Sequence, residues 1–388
     1  MRFIQFIGKN VLRRKVRSTL TGIGVAVAIS AVVALLGVAS GFEQSSREML
    51  TGRGVDLIVK RAGSGDFDTT RLDESIGPQL AAVPGVSQVT PELDDTVKLN
   101  DDPLGIRLEG LPPESPTLQE LSQRIDAGHG QGRGLTPSDR NCVLLGTILA
   151  RNLNKKPGDT VEIEGQKFKV AGIYQGASIL ENRGAVAHLD ELQKLMDRAG
   201  QVSEFEIMLK PGLAGNEAAV DRVRTDIQNL TGLDGKPYHL SAMTTEQYVD
   251  NDNGIKLAGA MAWMTSSIAL VIGAIGMLNT MIMSVLERTQ EIGILRAIGW
   301  RKARVMRMIL GESFALSLGG AVVGTGLALF LTAVVSRLPA AEGLVRPDVS
   351  FRVIVTGFLL SLVLGLVGGA YPAIRGARLA PTEALRYE

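Results

Sequence analysis

One cysteine among 388 residues excludes an intrachain disulfide, so any part of this chain outside the cytoplasm must fold on its apolar core alone. Cys142 sits in the apolar run NCVLLG and reads as a small core residue, not a reactive thiol. Only three histidines are present, His129, His188 and His239. They stand far apart, with no cysteine or acid at ligand spacing, which argues against a metal site. Surplus charge is lacking too: the formal net charge is +1, without the basic excess that marks nucleic-acid binding. There is no Gly-x-Ser-x-Gly, no Cys-x-x-Cys and no His-Glu-x-x-His, so a membrane-anchored enzyme has no constellation to rest on. Aromatics make up only 4% of the chain while the mean hydropathy is positive, a mixture of soluble and lipid-facing segments.

What is present is charge-free length. Four stretches, 18–42, 257–286, 313–336 and 353–374, contain no charged residue. About 20 apolar residues suffice to cross a bilayer as a helix. Their glycines suit close helix packing in lipid, and the pairs Gly320/Gly324 and Gly365/Gly369 are either seams within one chain or a dimer face. The first stretch is too long for the apolar region of a cleaved signal peptide. Basic residues set the orientation. Arg2, Lys9, Arg13, Arg14, Lys15 and Arg17 precede the first span; Arg288, Arg296, Arg301, Lys302, Arg304 and Arg307 lie between the second and third; Arg375, Arg378 and Arg386 follow the fourth. Both termini are thus expected in the cytoplasm of a multi-pass protein of the cell (inner, cytoplasmic) membrane, with 43–256 outside. Phe3, Phe6, Ile7, Val11 and Leu12 recur at helical spacing, as in an elbow helix (1–17) lying on the membrane surface.

The outer segment alternates short β runs with helical ones. VDLIVK, VSQVT, TVKL and IRLEG read as strands, 73–82 as a helix, and the Pro- and Gly-rich 112–137 as a subdomain boundary. NCVLLG, a helix over 147–153 and a TVEIEGQKFKVAGIY hairpin turning at Glu164-Gly165 follow. Beyond them come a helix over 190–196, the strand FEIMLK and a helix over 218–230. Asp94-Asp95 and Asp101-Asp102 read as solvated turn acids, since EF-hand spacing is missing. Segments 42–50 and 246–256 are expected to extend spans one and two as a helical stalk. The expected fold is therefore a four-helix membrane protein with a large α+β extracytoplasmic domain inserted between helices 1 and 2. Its parts are transmembrane helix 1 (18–42), the outer domain (43–256), helix 2 (257–286), a cytoplasmic loop (287–312), helix 3 (313–336), helix 4 (353–374) and a cytoplasmic tail (375–388).

After span two the chain reads ERTQEIGILRAIGWRKARVMRMIL. Ile292, Leu295 and Ile298 recur at near-helical spacing, Gly299 is placed to cap that helix, and a second helical segment starts at Arg301. On physics alone this is either a basic connector or a short amphipathic helix held between two spans. The loop resembles the signature of the MacB, LolC/LolE and FtsX superfamily of ABC-transporter permeases. That signature is an acid-Arg-x-x-Glu-Ile-Gly-x-x-Arg-Ala-x-Gly pattern, matched by Glu287, Arg288, Glu291, Ile292, Gly293, Arg296, Ala297 and Gly299. Tyr371, Pro372, Ala373, Pro381, Glu383, Ala384, Leu385 and Arg386 match the family's ending. LRRKVRSTLTGIGVAVAIS and GDTVEIEGQKFKVAGIY resemble further stretches, so the likeness spans the chain.

The resemblance implies a permease that couples ATP hydrolysis to motion of its outer domain. The loop would dock on a separate ABC ATPase subunit, with Arg288, Arg296 and Arg301 making charge pairs, Ile292 and Leu295 as apolar anchors, and Gly293 and Gly299 permitting close approach or a turn. These residues, with Glu287 and Glu291, form the expected ATPase-coupling site. No Gly-x4-Gly-Lys-Ser/Thr loop occurs, so ATP and Mg are expected on the partner and no cofactor on this chain. The implied assembly is a homodimer, or a heterodimer with a similar permease, in the lipid bilayer, with a periplasmic membrane-fusion protein as a further partner. The short first cytoplasmic stretch and larger outer domain depart from FtsX, and the expected arrangement resembles the MacB-like permeases that work with an independent ATPase, not MacB proper with its fused ATPase domain. The expected cargo is an amphiphile: a lipoprotein, lipid, peptide or drug. The alternative is an FtsX-like signalling scaffold that activates a cell-wall hydrolase.

Overall fold

The computed structural model describes residues 15–63, 71–99, 102–176, 178–232, 235–336 and 349–379. The expected elbow over 3–12, the matches from Pro381 onward and most of the loop between spans three and four lie outside them. Among the described residues the chain divides into a helical unit (15–41, 258–336 and 349–379) and an α/β unit (42–257).

Helix α1 (Lys15–Gly52) opens the described part as one uninterrupted helix, its last turns belonging to the α/β unit. There follow β1 (Leu57–Arg61), β2 (Leu72–Asp73), a 3-10 turn (Glu74–Ile76) with α2 (Gly77–Ala81), β3 (Val86–Leu99) and β4 (Asp102–Leu111). The Pro- and Gly-rich passage contains a helix, α3 (Pro116–Arg124), started by the Ser115 side chain accepting from Leu118 N and by Pro116 in its first turn. Next come β5 (Gly130–Gly132), β6 (Cys142–Gly146), α4 (Thr147–Asn152) and the hairpin of β7 (Thr160–Ile163) and β8 (Gln166–Tyr174). Glu164 and Gly165 both take positive φ, 48° and 80°, as a tight two-residue hairpin turn requires. Then follow α5 (Ile179–Arg183), β9 (Ala185–His188), α6 (Leu189–Leu195), β10 (Gln201–Val202), β11 (Glu204–Leu209), α7 (Glu217–Gln228), β12 (Leu240–Thr244) and α8 (Thr245–Asn251).

One ten-stranded sheet, ordered β12-β1-β11-β3-β4-β9-β6-β8-β5 with β7 beside β3 and β8, organises this unit. VSQVT and TVKL, expected as separate strands, are the two ends of the single strand β3. Its first half pairs with β11 and its second with β4, both antiparallel. Because side chains alternate across a sheet, Leu57, Val59, Leu93, Val97, Ile106, Leu108, Phe205 and Ile207 share one face, buried in the main core with residues of α2, α6 and α7. The same alternation puts Glu92, Asp94, Arg107, Glu109, Glu204 and Glu206 on the opposite face. That face is buried too, beneath Met49 and Leu50 of α1 and Tyr248 and Val249 of α8. Asp94 and Asp95 are therefore not solvated turn acids: both are buried within β3, Asp94 on the covered charged face and Asp95 on the core side, where it pairs with Arg198 at 3.4 Å.

Among the described residues four helices are long and apolar enough to cross a membrane: α1, α9 (Asn253–Glu287), α11 (Lys302–Val335) and α12 (Phe351–Arg378), with the short α10 (Thr289–Ala297) after α9. The stalk expected to run unbroken from 246 is interrupted. Asp252 (φ −61°, ψ 122°) is extended, and its carboxylate accepts from Ile255 N to start α9 afresh. Large apolar side chains such as Ile23, Ile272, Val323 and Leu366 are exposed, as a lipid-facing surface requires. Both glycine pairs prove to be seams within the chain. A Cβ on Gly324 would stand 2.5 Å from the Ala26 carbonyl oxygen of α1, and one on Gly365 would stand 2.5 Å from Ser317 Oγ of α11.

Candidate functional site

The signature loop folds as helix α10, and its geometry separates the nine expected residues into three groups. Arg288 breaks the path of α9 (φ −106°, ψ 16°) and turns inward, 7% exposed. Its Nη1 donates to Glu312 Oε1 and Oε2 of α11, at 2.8 and 3.0 Å, and its Nε donates to Glu291 Oε2 at 3.1 Å. Glu312 is 6% exposed, so this is a buried pair in which each charge depends on the other. Ile292 is 1% exposed and belongs to the helical unit's core, and Gly293 is buried beside it. At the far end Gly299 takes φ 102° and Trp300 N donates back to the Leu295 carbonyl, ending the helix where the sequence places its cap. Arg296 Nη1 donates to the Trp300 carbonyl at 2.9 Å, holding the turn shut, and Arg304 stacks on the Trp300 ring at 4.4 Å. Arg301 is the exposed N-cap of α11.

The expected residues thus do not form one surface. Arg288, Ile292 and Gly293 point into the chain, Leu295 and Arg296 are half-buried, and Glu287, Glu291, Gly299 and Arg301 are exposed. The expected coupling set omits Ile294 and also Ile298, which enters the sequence reading only as part of the helix's apolar pattern; they are 48% and 74% exposed and with Glu291 form a stripe at spacings of three and four along α10 and its C-cap. Glu312 was passed over as well, as the residue just outside the charge-free stretch of span three. Its signal was a single acid in the run ARVMRMILGES.

A second site, invisible in the sequence, lies on the charged face of the sheet in the α/β unit. Arg53 follows the last turn of α1. Its Nη2 donates to Glu109 of β4 (2.6 Å), its Nε to Glu181 of α5 (3.1 Å) and its Nη1 to Glu206 of β11 (3.3 Å), and Glu92 of β3 lies 3.6 Å from Nη1. Arg107 bridges Asp94, Glu92 and Glu109 at 2.8, 3.4 and 3.3 Å, while Lys60 Nζ lies 3.0 Å from Glu204. Glu92, Asp94, Glu109, Glu181, Glu204 and Glu206 thus gather around Arg53, Arg107 and Lys60. Burial and neighbouring carboxylates push Glu92 well above the usual carboxylate range; burial lifts Glu206 as well and raises Asp94 to about 6. Burial acts on Glu109 in the same sense, yet Arg53 and Arg107 together hold it below its ordinary value.

The model of the family described as MacB-like periplasmic core domain matches residues 18–230, and that described as FtsX-like permease C-terminal matches 263–381. An uncharacterized ABC transporter permease of Methanocaldococcus jannaschii is 26% identical, over 99% of this chain and 98% of its own length. The uncharacterized ABC transporter permease YknZ of Bacillus subtilis is 25% identical over 98% of this chain and 97% of its own. The macrolide export ATP-binding/permease protein MacB of Bdellovibrio bacteriovorus is 27% identical over 96% of this chain, which spans 60% of that longer relative. The solved periplasmic region of MacB from Actinobacillus actinomycetemcomitans aligns with 51% of this chain and 93% of its own at 18% identity and a TM-score of 0.36. Helices long enough to span a membrane, an α/β unit between the first and the rest, and two matching family regions agree: the chain is a multi-pass ABC-transporter permease belonging to the MacB/FtsX family.

Proposed function

We propose that this chain is the permease subunit through which a separate ABC ATPase, holding ATP and magnesium, moves the α/β unit to export or extract an amphiphile. The reading rests on the exposed stripe of Glu291, Ile294 and Ile298 on α10 and its C-cap. Two isoleucines beside an exposed acid are the chemistry of a protein contact with an apolar centre and a charged rim. The opposite side of α10 is fixed to α11 by the Arg288–Glu312 pair, so a force on the stripe reaches the spans instead of bending a loop. Ile294 and Ile298 take the anchoring role in place of Ile292, and Arg288 positions the helix without touching the ATPase.

In the α/β unit, Arg53 clamps the end of α1 to β3, β4, β11 and α5, so that movement of α1 carries the sheet with it. Both termini are placed in the cytoplasm and the α/β unit outside it, by the distribution of arginine and lysine. A homodimer, or a heterodimer with a similar permease, presents two copies of α10 to two ATPase subunits. The names of the MacB relatives put a macrolide among the candidate cargoes, beside lipoproteins, lipids and peptides.

The test is Ile298→Asp combined with Glu291→Lys, in the chain purified with its ATPase in nanodiscs. We expect membrane insertion to be kept and ATPase association to weaken roughly tenfold or more, as for loss of an interface anchor worth about 2 kcal/mol. Unchanged association rejects the stripe. Vectorial release of a lipid or peptide separates transport from the scaffold reading, in which ATP turnover requires a hydrolase and moves nothing.

A further inference from the structure

The carboxylates on the covered face of the sheet do not share their cations evenly. Glu109 takes Arg53 at 2.6 Å and Arg107 at 3.3 Å, and Asp94 takes Arg107 at 2.8 Å. Glu181 and Glu206 accept from Arg53 at 3.1 and 3.3 Å. Glu204 has Lys60 Nζ at 3.0 Å and the Tyr248 hydroxyl donating at 3.2 Å. Glu92 is the least compensated. It is 0% exposed, and its Oε1 accepts one long bond of 3.4 Å from Arg107. Its Oε2, 3.6 Å from Arg53, accepts no hydrogen bond among the described residues. Fully ionised, the six acids would put more negative than positive charge among Arg53, Arg107 and Lys60 on a buried face, and an uncompensated buried charge is costly. At Glu92, burial together with Glu206 and Glu109 close by opposes ionisation more than Arg53 assists it.

We propose that Glu92 holds a proton in the folded unit, and that its neutral carboxyl is what allows Arg53 to fasten the end of α1 over the sheet. An ionised Glu92 needs water or a cation of its own, and water reaches this face when the cover of Met49, Leu50, Tyr248 and Val249 lifts. The junction is thus a proton-dependent latch. The groups facing Glu92 are Arg53 after α1, Asp94 on its own strand, Arg107 and Glu109 on β4, Glu204 and Glu206 on β11, and Tyr248 on α8, with Glu181 on α5 and Lys60 on β1 beyond them. The folded unit keeps this proton to a higher pH than the unfolded chain does. The contribution of Glu92 is therefore full at the ordinary carboxylate range and is lost as pH rises through the raised value. The latch rests on the reading of Arg53 as the clamp and is independent of the docking of α10. Arg53→Met tests the clamp, and changes at Glu92 test the proton.

The experiment is amide hydrogen exchange of the full chain in maltoside detergent, followed at residues 44–52 between pH 6 and pH 9 and corrected for the intrinsic rate. In the wild type the opening of these turns should rise about tenfold or more across that range, since each pH unit above the raised value contributes up to about tenfold. Glu92→Gln copies the neutral carboxyl in size and charge. Its rise should stay below about twofold, and its unfolding midpoint at pH 8 should equal or exceed that of the wild type. Glu109→Gln removes a carboxylate bonded to both arginines, and should open the same turns at every pH. A protonated-carboxyl band in the infrared spectrum of the wild type at neutral pH, missing from Glu92→Gln, reports the proton independently of stability. If Glu92→Gln fails to fold, the wild-type exchange profile and infrared band decide. A flat wild-type profile, a Glu92→Gln profile as steep as the wild type, or the lack of such a band in the wild type overturns the proposal.

Discussion

Arg53→Met is expected to cost the α/β unit roughly 3–5 kcal/mol at neutral pH, the scale of removing one partner from a buried ion cluster. Folded domains have only about 5–15 kcal/mol in total. Arg53 is buried and in reach of four glutamates from four different elements, and its own charge is held on, its pKa well above the ordinary value. Removing it leaves Glu92, Glu109, Glu181 and Glu206 in a low-polarity environment, with Arg107 the remaining cation beside Glu92 and Glu109. Protons must then neutralise them, and this fixes the sign of the pH dependence. A buried carboxylate whose folded pKa lies above its unfolded one binds more protons when folded, so stability rises as pH falls from the raised value toward the ordinary range near 4. The variant should be least stable at pH 8 and recover part of the loss at pH 5, read by thermal unfolding of the chain in detergent. Arg53→Lys keeps the charge but cannot reach four carboxylates from a single ammonium, and should fall between the two. A midpoint unmoved at pH 8 would show that the cluster tolerates the loss and does not clamp α1.

The second large effect is expected at the Arg288–Glu312 pair. Arg288→Ala takes from the buried Glu312 the cation that faces both its oxygens, and Glu312→Ala leaves the buried Arg288 with the exposed Glu291 in place of a buried carboxylate. Each should release α10 from α11 and abolish stimulation of the ATPase, although the exposed stripe keeps its sequence. The informative variant is the double one, Arg288→Met with Glu312→Leu. Replacing both members of a buried pair by apolar groups is often neutral, whereas removing one is strongly destabilising. If Arg288 only positions the helix, the double variant recovers stimulated hydrolysis. If Arg288 contacts the ATPase, the double variant stays as impaired as the single one. This contrast separates the two roles by rate, independently of folding.

The spans were legible because charge-free length is an unambiguous signal, and the hairpin of β7 and β8 because alternation and a Glu-Gly turn coincide. The charged face of the sheet was not. EFEIML, PELDD and GIRLEG alternate acid or arginine with apolar residues, the pattern of a strand with one wet face. Only tertiary structure shows that the ends of α1 and α8 cover that face. Arg53, one position beyond α1, has no sequence feature that distinguishes it from a solvated stalk residue. On α10 the difficulty was of another kind. Ile292, Ile294, Leu295 and Ile298 place apolar side chains on both sides of a short helix, so periodicity alone could not say which side faces inward. The pairing partner decides it: Glu312 draws Arg288, and with it Ile292, toward α11, and turns Ile294 and Ile298 out.

The central claim is that α10 is the handle by which an ATPase moves this chain, gripped on the side bearing Ile294 and Ile298. The most direct measurement places a photo-reactive amino acid at Ile298 and, separately, at Ile292, in the chain assembled with its ATPase subunit in nanodiscs. Cross-linking to the ATPase from position 298, with position 292 giving only links within the chain, is the expected result. Cross-linking to the ATPase from position 292, or from neither position while ATP hydrolysis remains stimulated by the permease, would contradict it.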